Sequence, residues 1–298
     1  MRSEIPGSPV VSICLVNYND SGHLEACLRS IEADALEIPH EIIVADNAST
    51  DGSVALLTEK FPGVRIMRNV RNLGFGRANN LAARESLGQF LLFVNTDIVV
   101  HPGVLPRLLD EMKENPLTGA AGPALLNPGD DFQVSFGGRV NFFTEALKKG
   151  LLNRMKSRAL KKNRARREVG WISGAFLVVR KKAFLEAGGF DENLFLYFED
   201  IDLCVRIRDN GFRVVFLPQA VSFHWGGAVT AGAALRSRLE YRRSQLYFYR
   251  KHNSMISLFL LKLYLRISIA ALTMKGAFRN EPEEVRRGFR DLLKRPGT

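Results

Sequence analysis

Four short apolar runs in the first third of the chain alternate with helical patterns, and three of them stop abruptly at polar clusters. Residues 10–16 run into Asn17-Tyr18-Asn19-Asp20, residues 41–45 into Asp46-Asn47, and residues 90–94 into Asn95-Thr96-Asp97; the run at 64–68 ends on Arg68-Asn69. Short apolar, β-branched runs bounded by turn formers read as buried strands. After Ser21-Gly22, Leu24, Cys27, Leu28 and Ile31 recur at i, i+3, i+4 and i+7, which predicts a helix. Further helices are expected over 54–61, capped by Asp51, and over 78–86 after Gly74-Phe75-Gly76. This alternation predicts an α/β fold with a mostly parallel central sheet flanked by helices. Ligands of such sheets gather beyond the carboxyl ends of the strands, where the polar clusters fall.

Beyond residue 102 the rhythm loosens. Residues 132–143 alternate around Gly137-Gly138 and predict a hairpin. Order returns over 169–179, a helix is expected over 199–210 closed by Gly211, and a strand over 213–216. Between them a basic block runs from Lys148 to Arg167, and residues 145–168 are expected to form a basic, flexible insertion. With 46% hydrophobic and 24% charged residues, the 298-residue chain is neither disordered nor a polytopic membrane protein. Its net charge of +11 calls for an anionic partner: nucleic acid, anionic lipid or a diphosphate-bearing substrate. No aromatic interleaves the basic block, so nucleic acid is not indicated. Cys14, Cys27 and Cys204 form neither a disulfide framework nor a C-x-x-C pair, which favours a reducing compartment. The first residues hold no apolar run of signal-peptide type.

Three acidic stations stand out: Asp46, Asp97, and the group Glu199, Asp200 and Asp202. An acid at a strand end is commonly a helix cap. Three on one sheet edge also suit a divalent cation that shares its oxygen ligands with substrate phosphates. Glu199 and Asp200 are sequence neighbours on a helix and cannot face one point, so only one can act as a base there.

These stretches resemble the family 2 glycosyltransferases of GT-A (nucleotide-diphospho-sugar transferase) fold, in the bacterial rhamnosyltransferase-like branch. The resemblance rests first on 11–19, on Ile43-Val44-Ala45-Asp46-Asn47-Ala48-Ser49-Thr50-Asp51-Gly52-Ser53, on 72–80 and on Phe93-Val94-Asn95-Thr96-Asp97. It continues through Gly174-Ala175-Phe176, Gly188-Gly189-Phe190-Asp191-Glu192 and Tyr197-Phe198-Glu199-Asp200-Ile201-Asp202-Leu203, covering about residues 10–227. It implies a nucleotide-sugar donor lined by Asn17, Tyr18, Asp46 and Asn47, with Asn95 and Asp97 at the diphosphate. Asp97 matches the last carboxylate of the family's D-x-D, whose first position here is Asn95, and would hold Mg²⁺ or Mn²⁺. Asp200 matches the general base, and His224 a position that supplies a further metal ligand in some relatives. A packed, hydrogen-bonded histidine stays open for His224, as does a surface ion pair rather than the diphosphate for Arg77. Trp171 fits either core or acceptor stacking. Gly174, Glu199 and Asp202 are expected beside Trp171 on the acceptor side, with Asp202 or Glu199 orienting the acceptor or a neighbouring Arg.

The resemblance implies an inverting, metal-dependent hexosyltransferase. The favoured donor is dTDP-rhamnose, with a UDP-sugar as the alternative, and the acceptor a cell-envelope glycan or polyprenyl-diphosphate-linked sugar. Residues 1–230 would be the catalytic domain and 231–298 a C-terminal helical extension. Within the extension, Met255–Met274 is apolar but carries Lys262 and Arg266, and follows a basic stretch from Arg236 to Lys251. That pattern predicts a helix lying in the plane of an anionic membrane, with packing on the catalytic domain or on a second copy as the other options. The enzyme would then be cytoplasmic, peripheral at the inner face of the plasma membrane. A sugar-activating nucleotidyltransferase would want a glycine-rich phosphate loop after the first strand, which Asn17-Tyr18-Asn19-Asp20-Ser21 is not. A non-enzymatic basic module binding membrane or nucleic acid explains the charge but gives the three acidic stations no purpose.

Overall fold

A computed structural model describes residues 8–148, 165–226, 231–274, 276 and 283–294. The first half runs β1 (Val11–Asn17), α1 (Ser21–Asp34), β2 (His40–Asp46), α2 (Ser53–Lys60), β3 (Arg65–Arg68), α3 (Phe75–Glu85), β4 (Phe90–Asn95), β5 (Ile98–Val100), α4 (Val104–Glu114) and β6 (Thr118–Leu126). Then come β7 (Phe136–Gly137), α5 (Phe142–Lys148), β8 (Arg167–Glu168), β9 (Trp171–Ile172), β10 (Phe176–Arg180), α6 (Lys181–Glu186), α7 (Glu199–Asp209) and β11 (Arg213–His224). Three helices close the chain: α8 (Ala231–His252), α9 (Met255–Met274) and α10 (Glu283–Lys294).

The main sheet has the order β3-β2-β1-β4-β10-β6-β11-β5, with β8 added against β11. Along that path β3, β2, β1, β4, β6 and β11 share one direction, while β10 and β5 run against it. The sheet is therefore mostly parallel, as expected. Both faces are covered, which explains the unbroken apolar runs. Along β1, β4 and β10 alternate residues divide between two cores. Ile13, Leu15, Phe90, Leu92, Phe176 and Val178 pack on the side of α1, α2 and α4; Cys14, Leu91, Phe93, Leu177 and Val179 pack on the side of α3, α7 and α8. Each fully buried Phe or Leu in these layers contributes about 1.5–3 kcal/mol.

Residues 132–143 form no local hairpin. β7 pairs instead with β9, from beyond the basic block, and Phe132 bridges back to Leu126. The ends of the expected insertion are ordered as α5 and β8, while residues 149–164 lie outside the described residues. Arg166 is tied to the nearly buried Glu111 of α4 by two hydrogen bonds of 2.7 and 2.8 Å.

Helices α8 and α9 share the core beneath the sheet. Phe248 and Tyr249 of α8 and Leu258, Leu261 and Leu265 of α9 belong to the same buried cluster as β4 and β10. The opposite side of α9 is different. Met255, Ile256, Phe259, Leu263, Ile267 and Met274 are all exposed, flanked by the exposed Arg266. α9 therefore buries one apolar stripe and presents another at helical spacing. By length and composition alone it is the one helix among the described residues that could cross a membrane.

Candidate active site

The polar residues that end β1, β2 and β4 fall in one row. Asn17 pairs in register with Asp46, Val16 with Asn95, and Val94 with Phe176 of β10. Because β10 enters from the opposite direction, Gly174 and Ala175 precede it at the same edge, and Asn95 N–H donates to Ala175 O at 3.0 Å. From β2 to β10 is three strand spacings, about 14 Å.

At one end, Asp46 is 2% exposed and accepts from Asn17 Nδ2 at 2.9 Å and Ser49 N–H at 3.0 Å. Asn17 Oδ1 is buried with no hydrogen-bond partner. Asn47 pins the following loop: its Nδ2 donates to Asn72 Oδ1 and Gly74 O, and its Oδ1 accepts from Asn69 Nδ2. Tyr18 stands 53% exposed at the rim. Arg77, half-exposed on α3, pairs with Glu192 at 3.4 Å.

At the centre lies Asp97, 8% exposed, with Oδ1 3.3 Å from His224 Nε2. β11 brings His224 beside β5, in register with Ile98, so residues far apart in sequence meet here. Burial alone would raise the Asp97 pKa; the hydrogen bond and charge of His224, with lesser help from His23, outweigh it and hold the carboxyl below its usual range. Gln133 orients the imidazole: its Oε1 lies 2.7 Å from His224 Nδ1, and its Nε2 donates to His224 O at 2.9 Å. With Nδ1–H directed at that amide oxygen, the Nε2 lone pair of a neutral ring would face a carboxylate. Only a proton or a metal ion between them makes the contact favourable. Asp20 accepts from Thr96 Oγ1 at 2.6 Å and lies 2.6 Å from His23 Nδ1, beside Trp225.

The third station is the start of α7. Asp200 Oδ2 accepts the Gly174 N–H and its Oδ1 accepts the Ile201 N–H, each at 2.7 Å. A Cβ at Gly174 would sit 3.2 Å from Phe75 and 3.3 Å from Asp200 Cβ, so the glycine lets β10's entry, α3 and α7 close together. Glu199 is buried with Oε2 unpartnered. Burial, then the charge of Asp200, pushes its carboxyl well above the usual range. Burial raises Asp200 as well, but the peptide N–H groups of Gly174, Ile201 and Asp200 itself oppose it. Both carboxyls are therefore pushed upward, Glu199 further than Asp200. The backbone leading in is strained: Tyr197 and Phe198 have φ of +70° and +68°. Such conformations cost about 1–3 kcal/mol each and persist only where packing imposes them. Here α8 imposes them. Phe198 packs against the rings of Tyr241 and Phe248, and Tyr197 Oη hydrogen-bonds Ser237.

Asp202, expected on the acceptor side, points elsewhere. It is 0% exposed, with Oδ1 2.7 Å from His252 Nε2 and 2.8 Å from Lys251 Nζ, and Oδ2 on Arg206. Its role is to join α7 to α8, and the neighbouring Arg it orients is Arg206. Trp171 is 9% exposed on β9, beside the hydrophobic core and on the wall of a cavity behind α7. Sequence reasoning singled out Asp97 and His224, which the structure brings together, but not their neighbours Gln133, Asp20 and His23. The i, i+3 spacing of Asp20 and His23 was a usable signal; Gln133 lies 91 residues from His224 in no motif.

The glycosyl transferase family 2 model matches residues 12–188. The N-acetylglucosaminyl-diphospho-decaprenol L-rhamnosyltransferase of Mycobacterium tuberculosis is 32% identical over 234 residues, 72% of this chain and 76% of that protein. Rhamnosyltransferase WbbL of Escherichia coli K12 is 26% identical over 243 residues, 72% and 83% of the two chains. Among solved structures, GalNAc-T7 with UDP, GalNAc and Mn²⁺ superposes with TM-score 0.60 at 17% identity, over 82% of this chain and half of that one. S. aureus TarS 1-349 does so with TM-score 0.53 at 16% identity, over 86% and 65%. Matched by the family model over most of the strands that build this edge, the chain belongs to glycosyl transferase family 2 and has the GT-A fold.

Proposed function

We propose that the protein transfers a rhamnosyl group, with inversion, from dTDP-rhamnose to a polyprenyl-diphosphate-linked sugar. The observation that carries this reading is the row Asp46–Asn17, Asn95–Asp97–His224, Gly174–Asp200 along one sheet edge. The two named rhamnosyltransferase relatives support the sugar, and the name of the Mycobacterium tuberculosis relative supports the lipid-linked acceptor. Asp46 and Asn17, with its unpartnered Oδ1, suit the base and ribose of the donor, and Tyr18 the rim of that pocket. Asp200 takes the proton of the acceptor hydroxyl as its oxygen attacks the anomeric carbon. The carbon–oxygen bond to the diphosphate breaks, and the nucleoside diphosphate leaves with the electron pair. One carboxylate and one displacement invert the centre; a retaining route would want a second carboxyl facing the first.

Among the described residues no three His, Cys, Asp or Glu side chains gather as a metal cage. The Asp97–His224 contact still fits a cation, because its two donors face one another with a lone pair and a negative charge. Asp97 and His224 would hold Mg²⁺ or Mn²⁺, which when bound neutralises the charge that builds on the leaving diphosphate. The exposed stripe of α9 would rest on an anionic membrane, placing the enzyme as a peripheral protein at its inner face. Calorimetric titration with dTDP and UDP, each with and without Mg²⁺ or Mn²⁺, tests the donor. Tight dTDP binding that needs the ion is expected. Preference for UDP would replace the donor, and binding of neither nucleotide would overturn the reading.

A further inference from the structure

A neutral imidazole carries a proton on one ring nitrogen and a lone pair on the other, and only the second can bind a metal ion. In His224 one side chain, 91 residues away in sequence, decides which is which. Gln133 meets His224 twice: its Nε2 donates to His224 O at 2.9 Å, and its Oε1 lies 2.7 Å from His224 Nδ1. A peptide carbonyl only accepts, so the amide nitrogen has to face it. Turning the amide over would set two oxygens against each other. Oε1 is thereby committed to the ring, and because it too only accepts, Nδ1 carries the proton of that bond. The nitrogen left for an ion is Nε2, which faces Asp97 Oδ1 at 3.3 Å.

Gln133 is itself held in place. Its N–H donates to Leu125 O at 2.8 Å, and its neighbour Phe132 bridges Leu126. The turn between, 127–131, is closed by Asn127, whose Oδ1 accepts the N–H groups of Gly129 and Asp131 at 2.9 and 3.0 Å. Leu125 and Leu126 stand in register with Ser222 and Phe223 of β11, so the turn brings the amide beside the next residue of that strand, His224. The bond to His224 O would suffice to tie down the end of β11. The second bond, to the ring, adds nothing to such a tie but fixes the imidazole's face and its proton.

We propose that Gln133 is a positioning residue, which keeps the His224 proton on Nδ1 and so holds Nε2 ready as a nitrogen ligand for the divalent cation shared with Asp97. The inference rests on the cation reading of that pair, and the test separates the two. The full chain, as wild type, Gln133→Leu, Gln133→Ala, Gln133→Glu and His224→Ala, is titrated with Mn²⁺ by electron paramagnetic resonance, alone and with dTDP or UDP. Spin-echo modulation of the bound ion reports whether a nitrogen is coordinated, and urea midpoints are taken on the same preparations. Wild type should bind the ion with a nitrogen modulation that His224→Ala abolishes. Leucine and alanine remove both bonds, and each variant should bind Mn²⁺ about tenfold or more weakly and lose the modulation. The alanine variant carries this comparison if leucine disturbs the turn. Glutamate keeps an acceptor on Nδ1 and gives up only the donor to His224 O, so Gln133→Glu should stay within about threefold of wild type and keep the modulation. Wild-type affinity and modulation in Gln133→Ala would overturn the proposal. So would a Gln133→Glu protein that loses the ion as alanine does, which would leave Gln133 a tie for the strand end, or wild-type Mn²⁺ binding without nitrogen modulation. Wild type that binds no Mn²⁺ under any of these conditions would refute the cation reading itself, and the proposal with it. Binding that depends on Gln133 and is strengthened by UDP but not by dTDP would uphold the proposal and refute the donor assignment instead.

Discussion

Replacing Asp200 by asparagine keeps the shape of the side chain and removes its charge, and the structure fixes what else changes. Two peptide N–H groups, from Gly174 and Ile201, each meet one carboxylate oxygen. An amide can accept only one of them and turns an N–H₂ toward the other, an orphaned donor that costs about 1–3 kcal/mol. Asparagine also removes the cost of burying a charge at this position, which offsets part of this, so Asp200→Asn should unfold within about 2 kcal/mol of wild type. Turnover should change far more. General-base catalysis is worth about 10²- to 10⁴-fold, or roughly 2.7–5.5 kcal/mol of barrier. The assay is initial-rate glycosyl transfer at saturating donor, with dTDP affinity by calorimetry and stability by urea titration on the same preparations. The base must be ionised to work, and burial raises its pKa, so the acid limb of the wild-type rate should lie above the usual aspartate range and be absent from the variant. Glu199→Gln removes the neighbouring carboxyl while keeping its shape and should keep turnover within tenfold. An Asp200→Asn protein with more than a tenth of wild-type kcat, or with the acid limb intact, would refute the assignment. So would a Glu199→Gln protein that is the inactive one.

Asp202→Asn should cost about 3 kcal/mol in urea denaturation at pH 7, because it leaves Lys251 and Arg206 facing a neutral group in a buried setting; a loss below 1 kcal/mol would contradict the role given to this network. Burial opposes but His252, Arg206 and Lys251 lower the Asp202 pKa, so its contribution is complete above the ordinary aspartate range and fades as pH falls through the depressed folded value. Gly74→Ala should destabilise by more than about 2 kcal/mol, since φ is +83° and a Cβ would lie 2.3 Å from Phe195 O; a wild-type urea midpoint would disprove that packing. Changing Ile256, Phe259 and Leu263 together to Ser should reduce flotation with anionic liposomes while dTDP affinity stays unchanged, and equal flotation would count against the membrane role of α9.

Much of the fold was legible because local pattern and tertiary environment agree. The four apolar positions read for α1, Leu24, Cys27, Leu28 and Ile31, are its buried ones, and the bounds of α9 are those of its apolar run. Reading failed where a distant partner decides. The alternation at 132–143 looks like a hairpin, but the partner of Gly137 is Trp171, across the basic block. α3 starts at Phe75 and includes Gly76, a glycine that local propensity would place outside it; a side chain at position 76 would lie 3.0 Å from Phe190, a contact invisible in the sequence. β11 continues past Pro218 to His224 through an irregularity between Leu217 and Val221, so the strand that delivers His224 was longer than its apolar part. At the site, acids at strand ends were visible as a pattern. Which acid is held by peptide N–H groups and which is spent on cations was not, since Asp200 and Asp202 are told apart only by distant partners, Gly174 for the one and Lys251 and His252 for the other.

The reversed strand β10 has an effect on how such a protein can diversify. On the proposed assignment, nearly everything at the nucleotide end of the row comes from one uninterrupted stretch that closes with Asp97, whereas the acceptor end is assembled later from β9, the turn into β10, α7 and α8. The long excursion between β6 and β10 can lengthen, shorten or drift without pulling on the parallel strands that hold Asp46 and Asn17. Descendants of one ancestor could thus keep their nucleotide preference while exploring new glycan targets, each half answering to its own selective pressure.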